Sequence, residues 1–213
     1  MMPTNLTDEK PYYVIRQAVP ADRCAFLTEY ALFKATIHPT IRHNDPIAGT
    51  HREYGDPLMD YMLQILTPQI EAATGRSLWP TLSFYYTYRT GAQLAKHFDR
   101  SSCQFVASLC VGADPEFTKT QKTWPLMINC QGKTEAVHLA VGDIMVFRGY
   151  ETEHWREAFQ GKWFVSAIFA YVDKQGPLSF QKYDQRKRLG LPHVGMLRWA
   201  LGCAKARVKA MFR

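Results

Sequence analysis

The segment AKHFD places an imidazole and a carboxylate two residues apart, at His97 and Asp99. In extended chain, residues i and i+2 point to the same side, so this pair can converge on one ion. A third donor must then come from a distant strand, and His154 follows Asp99 by 55 residues, just after the apolar run DIMVFRG. Two imidazoles and one carboxylate on one side of a metal leave positions open for other ligands, the arrangement that suits non-haem Fe(II). The same donors also suit Zn(II), which keeps a zinc hydrolase as an alternative. A second H-x-D, His43 and Asp45, lies in a proline-flanked stretch and reads as a solvated turn whose Asp bonds nearby backbone.

The elements that must carry these residues divide the chain in two. Residues 20–36 (PADRCAFLTEYALFKAT) predict a helix opened by Pro20, with Cys24, Leu27, Ala31 and Ala35 on its buried face. From Ile37 to Gly55 the prolines, glycines and an Asn-Asp-Pro signal predict a loop. Asp56 then caps a second helix, with Pro57 in its first turn and a kink expected near Pro68 before Gly75. After Trp79 the texture is that of strands: SFYYTYR, AQLAKHF, QFVASLCV, PLMINC, EAVHLA, DIMVFRG and KWFVSAIFAYV, parted by Gly-, Pro- and Asp-rich turns. Short strands without intervening helices predict an antiparallel jelly roll rather than a parallel sheet. The expected fold is mainly β with flanking helices around a double-stranded β-helix core. The regions are 1–78 as helical support and substrate loop, 79–177 as core, and 178–213 as a basic extension. In that extension Leu197, Leu201, Ala204, Val208 and Met211 follow helical spacing.

YRTGAQLAKHFD resembles the prolyl 4-hydroxylase-like branch of the 2-oxoglutarate/Fe(II) oxygenase superfamily, with Tyr88, Gly91, His97 and Asp99 matching in type and spacing. VGDIMVFRGYETEHWREAFQGKWFVSAIFAYVDKQGP resembles that family's closing half, with a Gly-Asp turn at Gly142 and Asp143 and the distal His154. Together they cover roughly residues 80–177. The resemblance implies that His97, Asp99 and His154 hold Fe(II), with 2-oxoglutarate and O₂ as cosubstrates and ascorbate as an auxiliary. It further implies that 2-oxoglutarate is decarboxylated to succinate while a C–H bond of a peptide side chain or a small metabolite is hydroxylated. Halogenation is not implied, because Asp99 occupies the position that halogenases vacate.

The family pairs the far carboxylate of 2-oxoglutarate with a basic residue nine or ten places after the distal histidine, and here those places hold Trp163 and Phe164. Lys162, eight residues on, is the nearest base and is slightly preferred; Arg156, two residues on, would face the same side as His154 in extended chain. Tyr88 matches the tyrosine that donates to the same carboxylate. Arg100, Arg148 and Gln104 could line the mouth of the barrel, and Trp124, Trp155 and Trp163 could stack on a substrate, although core packing is the commoner use of such tryptophans.

Among the 213 residues, 46% are apolar and 13% aromatic, which excludes a disordered chain. No apolar run is long enough to span a bilayer and the start MMPTNLTDEK has no signal-peptide centre, so the expected location is the cytoplasm. Five cysteines without C-x-x-C spacing suggest buried free thiols. The net charge of +7 is concentrated at the end: residues 182–213 carry +8 and the rest −1. A basic amphipathic tail on a near-neutral domain permits a different reading, a non-catalytic metal-binding jelly roll that docks on an acidic partner, nucleic acid or a membrane through that helix.

Overall fold

The computed structural model describes residues 6, 10–37, 50–120 and 123–191. The His43–Asp45 pair and the amphipathic C-terminal stretch lie outside the described residues. In chain order the elements are β1 (Tyr12–Ile15), α1 (Ala21–Ile37), β2 (His51–Tyr54), α2 (Pro57–Thr74), β3 (Leu78–Arg89), β4 (Leu94–His97) and β5 (Phe105–Ala113). They continue with α3 (Pro115–Lys119), β6 (Leu126–Cys130), β7 (Lys133–Val137), β8 (Ile144–Phe147), β9 (His154–Arg156) and β10 (Trp163–Asp173). A short 3₁₀ turn covers Ser101–Cys103, and Ser179–Gln185 holds helical turns broken by a kink at Lys182–Asp184.

The strands form two antiparallel sheets, a major one in the order β1-β8-β5-β10-β3-β2 and a minor one in the order β4-β9-β6-β7. This is the expected jelly roll. Its central strands β5 and β10 are buried along almost their whole length, as their largely apolar sequences, interrupted inside only by Ser108 and Ser166, require. The outer face of the major sheet is covered by α1 and α2, which contribute Cys24, Leu27, Ala31, Met59, Leu63 and Ile70 to one core. The inner face and the minor sheet enclose a second core, built on Phe147, Leu126, Ile128 and Phe164.

The helices begin where their caps dictate. Asp56 accepts from the backbone N–H groups of Leu58 (3.0 Å) and Met59 (3.3 Å), and Gly75, in the left-handed conformation at φ 65°, closes α2 with a bond to the Glu71 carbonyl. The helix passes through Pro68 without ending. The stretch expected to be loop from Ile37 to Gly55 contains β2, whose four residues pair with Phe84–Thr87 of β3. The N-terminal region thus supplies two edge strands of the major sheet as well as helices.

The segment beyond β10 returns over the molecule and is anchored in the core. The Arg186 guanidinium pairs with Asp60 at 2.7 Å, both side chains fully enclosed, and also donates to the Thr81 carbonyl. Just before it, Tyr183, Asp184 and Gln185 all have positive φ (54°, 53° and 60°). Three consecutive left-handed residues without a glycine cost roughly 1–2 kcal/mol each, so the surrounding contacts must hold them.

Candidate metal centre

His97 ends β4 and His154 begins β9, and the two are directly opposite each other in the antiparallel ladder. An irregularity in β4 between Leu94 and His97 sets this register. Their rings lie 4.2 Å apart between centroids, and the Asp99 carboxylate completes the group, 3.6 Å from Nε2 of each histidine. One donor atom from each of the three residues falls within 4.8 Å of the others. The three predicted ligands therefore meet at one point.

Each imidazole is oriented by the backbone behind it. His97 Nδ1 lies 2.8 Å from the Ala95 carbonyl and His154 Nδ1 lies 3.0 Å from the Thr152 carbonyl. A carbonyl can only accept, so Nδ1 carries the proton and both Nε2 lone pairs turn toward Asp99. Burial pushes the pKa of His154 down, against the pull of Asp99, which favours the neutral ring a metal needs. Burial works against the His97 cation too, but the Asp99 carboxylate and the Ala95 carbonyl outweigh it and raise that pKa. The Asp99 backbone N–H donates to the Gly149 carbonyl at 3.0 Å, and an added Cβ at Gly149 would overlap Asp99 Oδ2. Residue 149 leaves space that the carboxylate uses.

These groups sit on the wall of a cavity of about 470 Å³ between the two sheets, within the usual size range of small-molecule sites. Alternate residues of β3, Leu82, Phe84, Tyr86 and Tyr88, form one side of it. Tyr86 stacks on both its neighbours, 5.6 Å from Phe84 and 5.3 Å from Tyr88. Burial raises the Tyr88 hydroxyl pKa to about 12, so the phenol stays protonated and able to donate. Arg156, two residues after His154, lines the same cavity and is only 3% exposed. Its guanidinium donates to the Trp124 carbonyl and lies over the rings of Trp124 (4.8 Å) and Phe164 (5.1 Å). No carboxylate pairs with it among the described residues. Burial lowers its pKa, yet an arginine remains charged, so a cation is enclosed here without an anion.

Several solved structures share this fold. A Pseudomonas putida prolyl-4-hydroxylase superposes with a TM-score of 0.59 at 16% identity, over 78% of this chain and 94% of that one. The fold is that of the 2-oxoglutarate/Fe(II) oxygenases. A collagen prolyl hydroxylase of Paramecium bursaria Chlorella virus-1, solved with 2-oxoglutarate, superposes with a TM-score of 0.56 at 12% identity, over 77% of this chain and 96% of that one. HygX from Streptomyces hygroscopicus, solved with nickel and 2-oxoglutarate, gives 0.57 at 12% identity, over 79% and 85%. No protein-family model and no curated protein sequence matches the chain.

Within this oxygenase fold the remaining expected residues separate. Lys162, preferred on spacing, is exposed just before β10 and does not line the cavity; its backbone N–H donates to Asp114 at 3.0 Å. Because β9 is only three residues long, the base two places after His154 is the one that keeps the histidine's orientation. Arg100 does line the cavity. Gln104 and Arg148 border a different hollow, and none of Trp124, Trp155 and Trp163 reaches the cavity wall. Tyr86 and Arg52, which also line the cavity, and Gly149 escaped sequence reasoning: Arg52 reaches the wall because β2 pairs with β3, and Gly149 matters because of how closely two loops approach.

The donor set fits the metal and cosubstrate that the fold implies. Three donors of the right kinds converge, each histidine with its Nδ1 hydrogen-bonded to a backbone carbonyl, and an enclosed cation stands in the same cavity where a dicarboxylate could neutralise it.

Proposed function

We propose that this chain is an Fe(II)- and 2-oxoglutarate-dependent dioxygenase that hydroxylates a C–H bond of a peptide side chain or a small metabolite. The observation that carries this reading is the sharing of one cavity by the His97–Asp99–His154 group and the carboxylate-free Arg156. His97 and His154, through Nε2, and Asp99, through its carboxylate, would hold the iron. Arg156 and the Tyr88 hydroxyl would bind the far carboxylate of 2-oxoglutarate, a charge-assisted contact strengthened by the dry surroundings. Bound iron and cosubstrate supply the oxidation: O₂ and 2-oxoglutarate are consumed, succinate and CO₂ are released, and one oxygen atom enters the substrate C–H bond. Leu94, Val106, Leu126 and Phe147 on the cavity wall exclude water from the reacting groups. Phe98 and Arg100, both exposed, stand where the cavity meets solvent and so where a substrate would pass.

Cys24, Cys103, Cys110 and Cys130 are buried free thiols, which supports a reducing compartment such as the cytoplasm. No helix among the described residues is long and apolar enough to cross a membrane.

The test is succinate release from 2-oxoglutarate in the presence of Fe(II) and ascorbate, alongside anaerobic Fe(II) binding. Wild type should bind iron and turn over 2-oxoglutarate slowly even without a primary substrate. His97→Ala, Asp99→Ala and His154→Ala should lose both while still melting cooperatively. Iron binding that survives all three substitutions would end this reading.

A further inference from the structure

The turn that carries Asp99 is gripped from outside by the chain's returning segment. After Asp99 the chain enters the 3₁₀ turn Ser101–Cys103, closed by the Cys103 N–H bonding to the Arg100 carbonyl at 2.8 Å. Two side chains of the 179–185 turn reach it: Gln181 Nε2 donates to Ser101 Oγ at 3.2 Å, and Asp184 Oδ2 accepts from Arg100 Nη2 at 2.6 Å. The same Asp184 oxygen accepts the Tyr54 hydroxyl, at 2.5 Å. Tyr54 sits edge-on against Phe84, 5.3 Å away, at the end of the aromatic row that runs through Tyr86 to Tyr88. One carboxylate thus joins the turn bearing a metal ligand to the facing wall of the cavity.

Two further features show that this carboxylate is held in place rather than resting there. Asp184 is only 2% exposed, although it is an acid on a surface segment. The backbone aims it through three successive left-handed residues, none of them glycine, and the Arg186–Asp60 pair anchors the chain immediately beyond. Conformations of this kind persist where the surroundings over-determine them, and they cluster where geometry matters to function.

We infer that Asp184 is a positioning residue for the metal centre: through Arg100 it fixes the turn that presents Asp99, and through Tyr54 it ties that turn to the end of the aromatic row farthest from Tyr88. This rests on the iron reading above. Arg100 also lines the cavity, so the same contact sets where its guanidinium stands at the mouth. Arg156 and Tyr88 do not touch the turn, so the cosubstrate pocket should not feel the loss.

The experiment is anaerobic Fe(II) titration of the full-length chain against a chromophoric chelator, with 2-oxoglutarate binding measured separately at saturating metal. Outer groups that orient a metal ligand typically contribute 10–100-fold to affinity. Asp184→Asn should therefore weaken Fe(II) binding about tenfold and leave 2-oxoglutarate affinity unchanged. Arg100→Met, at a half-exposed residue that should tolerate change, removes the same contact from the other side and carries the test if Asp184→Asn does not fold. The double variant should be no weaker than the worse single one. Wild-type Fe(II) affinity in folded Arg100→Met, or equal losses of iron and 2-oxoglutarate binding, overturns the assignment. If His97→Ala also keeps wild-type affinity, the iron reading falls with it; if His97→Ala loses iron as expected, only the role of Asp184 is refuted.

Discussion

Replacing Gly149 by alanine tests how little room the metal ligand has. Gly149 does not occupy the left-handed region, so the backbone accepts alanine and only space resists it. The new methyl would overlap Asp99 Oδ2, approach Val106 Cγ2 to 2.5 Å and stand 3.0 Å from the Cys103 carbonyl oxygen. Carbon atoms settle at about 3.5–4.0 Å, so something must yield by roughly 1 Å. Val106 is locked inside β5, and the Cys103 carbonyl already accepts from the Tyr150 N–H at 3.1 Å. The Asp99 carboxylate is the freest of the three, and a metal bond tolerates displacements of only about 0.2 Å. Overpacking of this kind costs about 1–3 kcal/mol, which corresponds to a loss of Fe(II) affinity of roughly 5–150-fold if the carboxylate absorbs it. Anaerobic chelator competition measures the loss, and a melt in excess chelator verifies that the metal-free fold survives. A folded Gly149→Ala protein with wild-type iron affinity would refute the steric argument.

The choice between Arg156 and Lys162 is open to a direct comparison. Arg156→Gln should raise the KM for 2-oxoglutarate by about tenfold or more, the loss of one charge-assisted pair, whereas Lys162→Ala should leave it unchanged in a succinate-release assay. Arg186→Met strands Asp60 without its enclosed cation and should cost about 3–5 kcal/mol, read as a lower urea midpoint with an unchanged slope. Asp143 should show its contribution through pH. Its carboxyl lies below the ordinary value because the Gln17 and Ala140 N–H groups and the Arg16 guanidinium outweigh its burial. A lowered folded pKa means stability that is complete above the unfolded value of 3.8 and fades as pH drops through the folded one. The destabilisation of Asp143→Asn should therefore be constant near neutrality and shrink in acid, as followed by denaturant melts across that range.

The clustering of His97, Asp99 and His154 was legible because its signal is largely local. H-x-D keeps two donors close together at the end of β4, and the third arrives on its own short strand β9, seven residues after β8 ends, directly opposite His97. The helices were legible from Asp56, Pro57 and Gly75, whose conformational preferences act within one turn. Which base faces the cavity was harder to read, since Lys162 and Arg156 differ only in where β9 stops and β10 starts, and a three-residue strand leaves no periodicity to read. β2 was hidden for the same reason: HREY becomes a strand because β3 offers it an edge, not because of its own residues. Nothing in Tyr-Asp-Gln announces a left-handed turn at 183–185, which exists only because contacts remote in sequence enforce it.

The strand carrying His97 is one of the two edge strands of the minor sheet, four residues long, and its ladder partner carries His154. An ion gripping both rings would therefore act as a rivet at the sheet's weakest margin. Loading the protein with metal to a hundred times its dissociation constant would add about 2.7 kcal/mol, delivered first where pairing is thinnest. Chelation should accordingly loosen this lip of the barrel while the six-stranded sheet stays closed, which would make catalytic competence and local folding two faces of a single binding event.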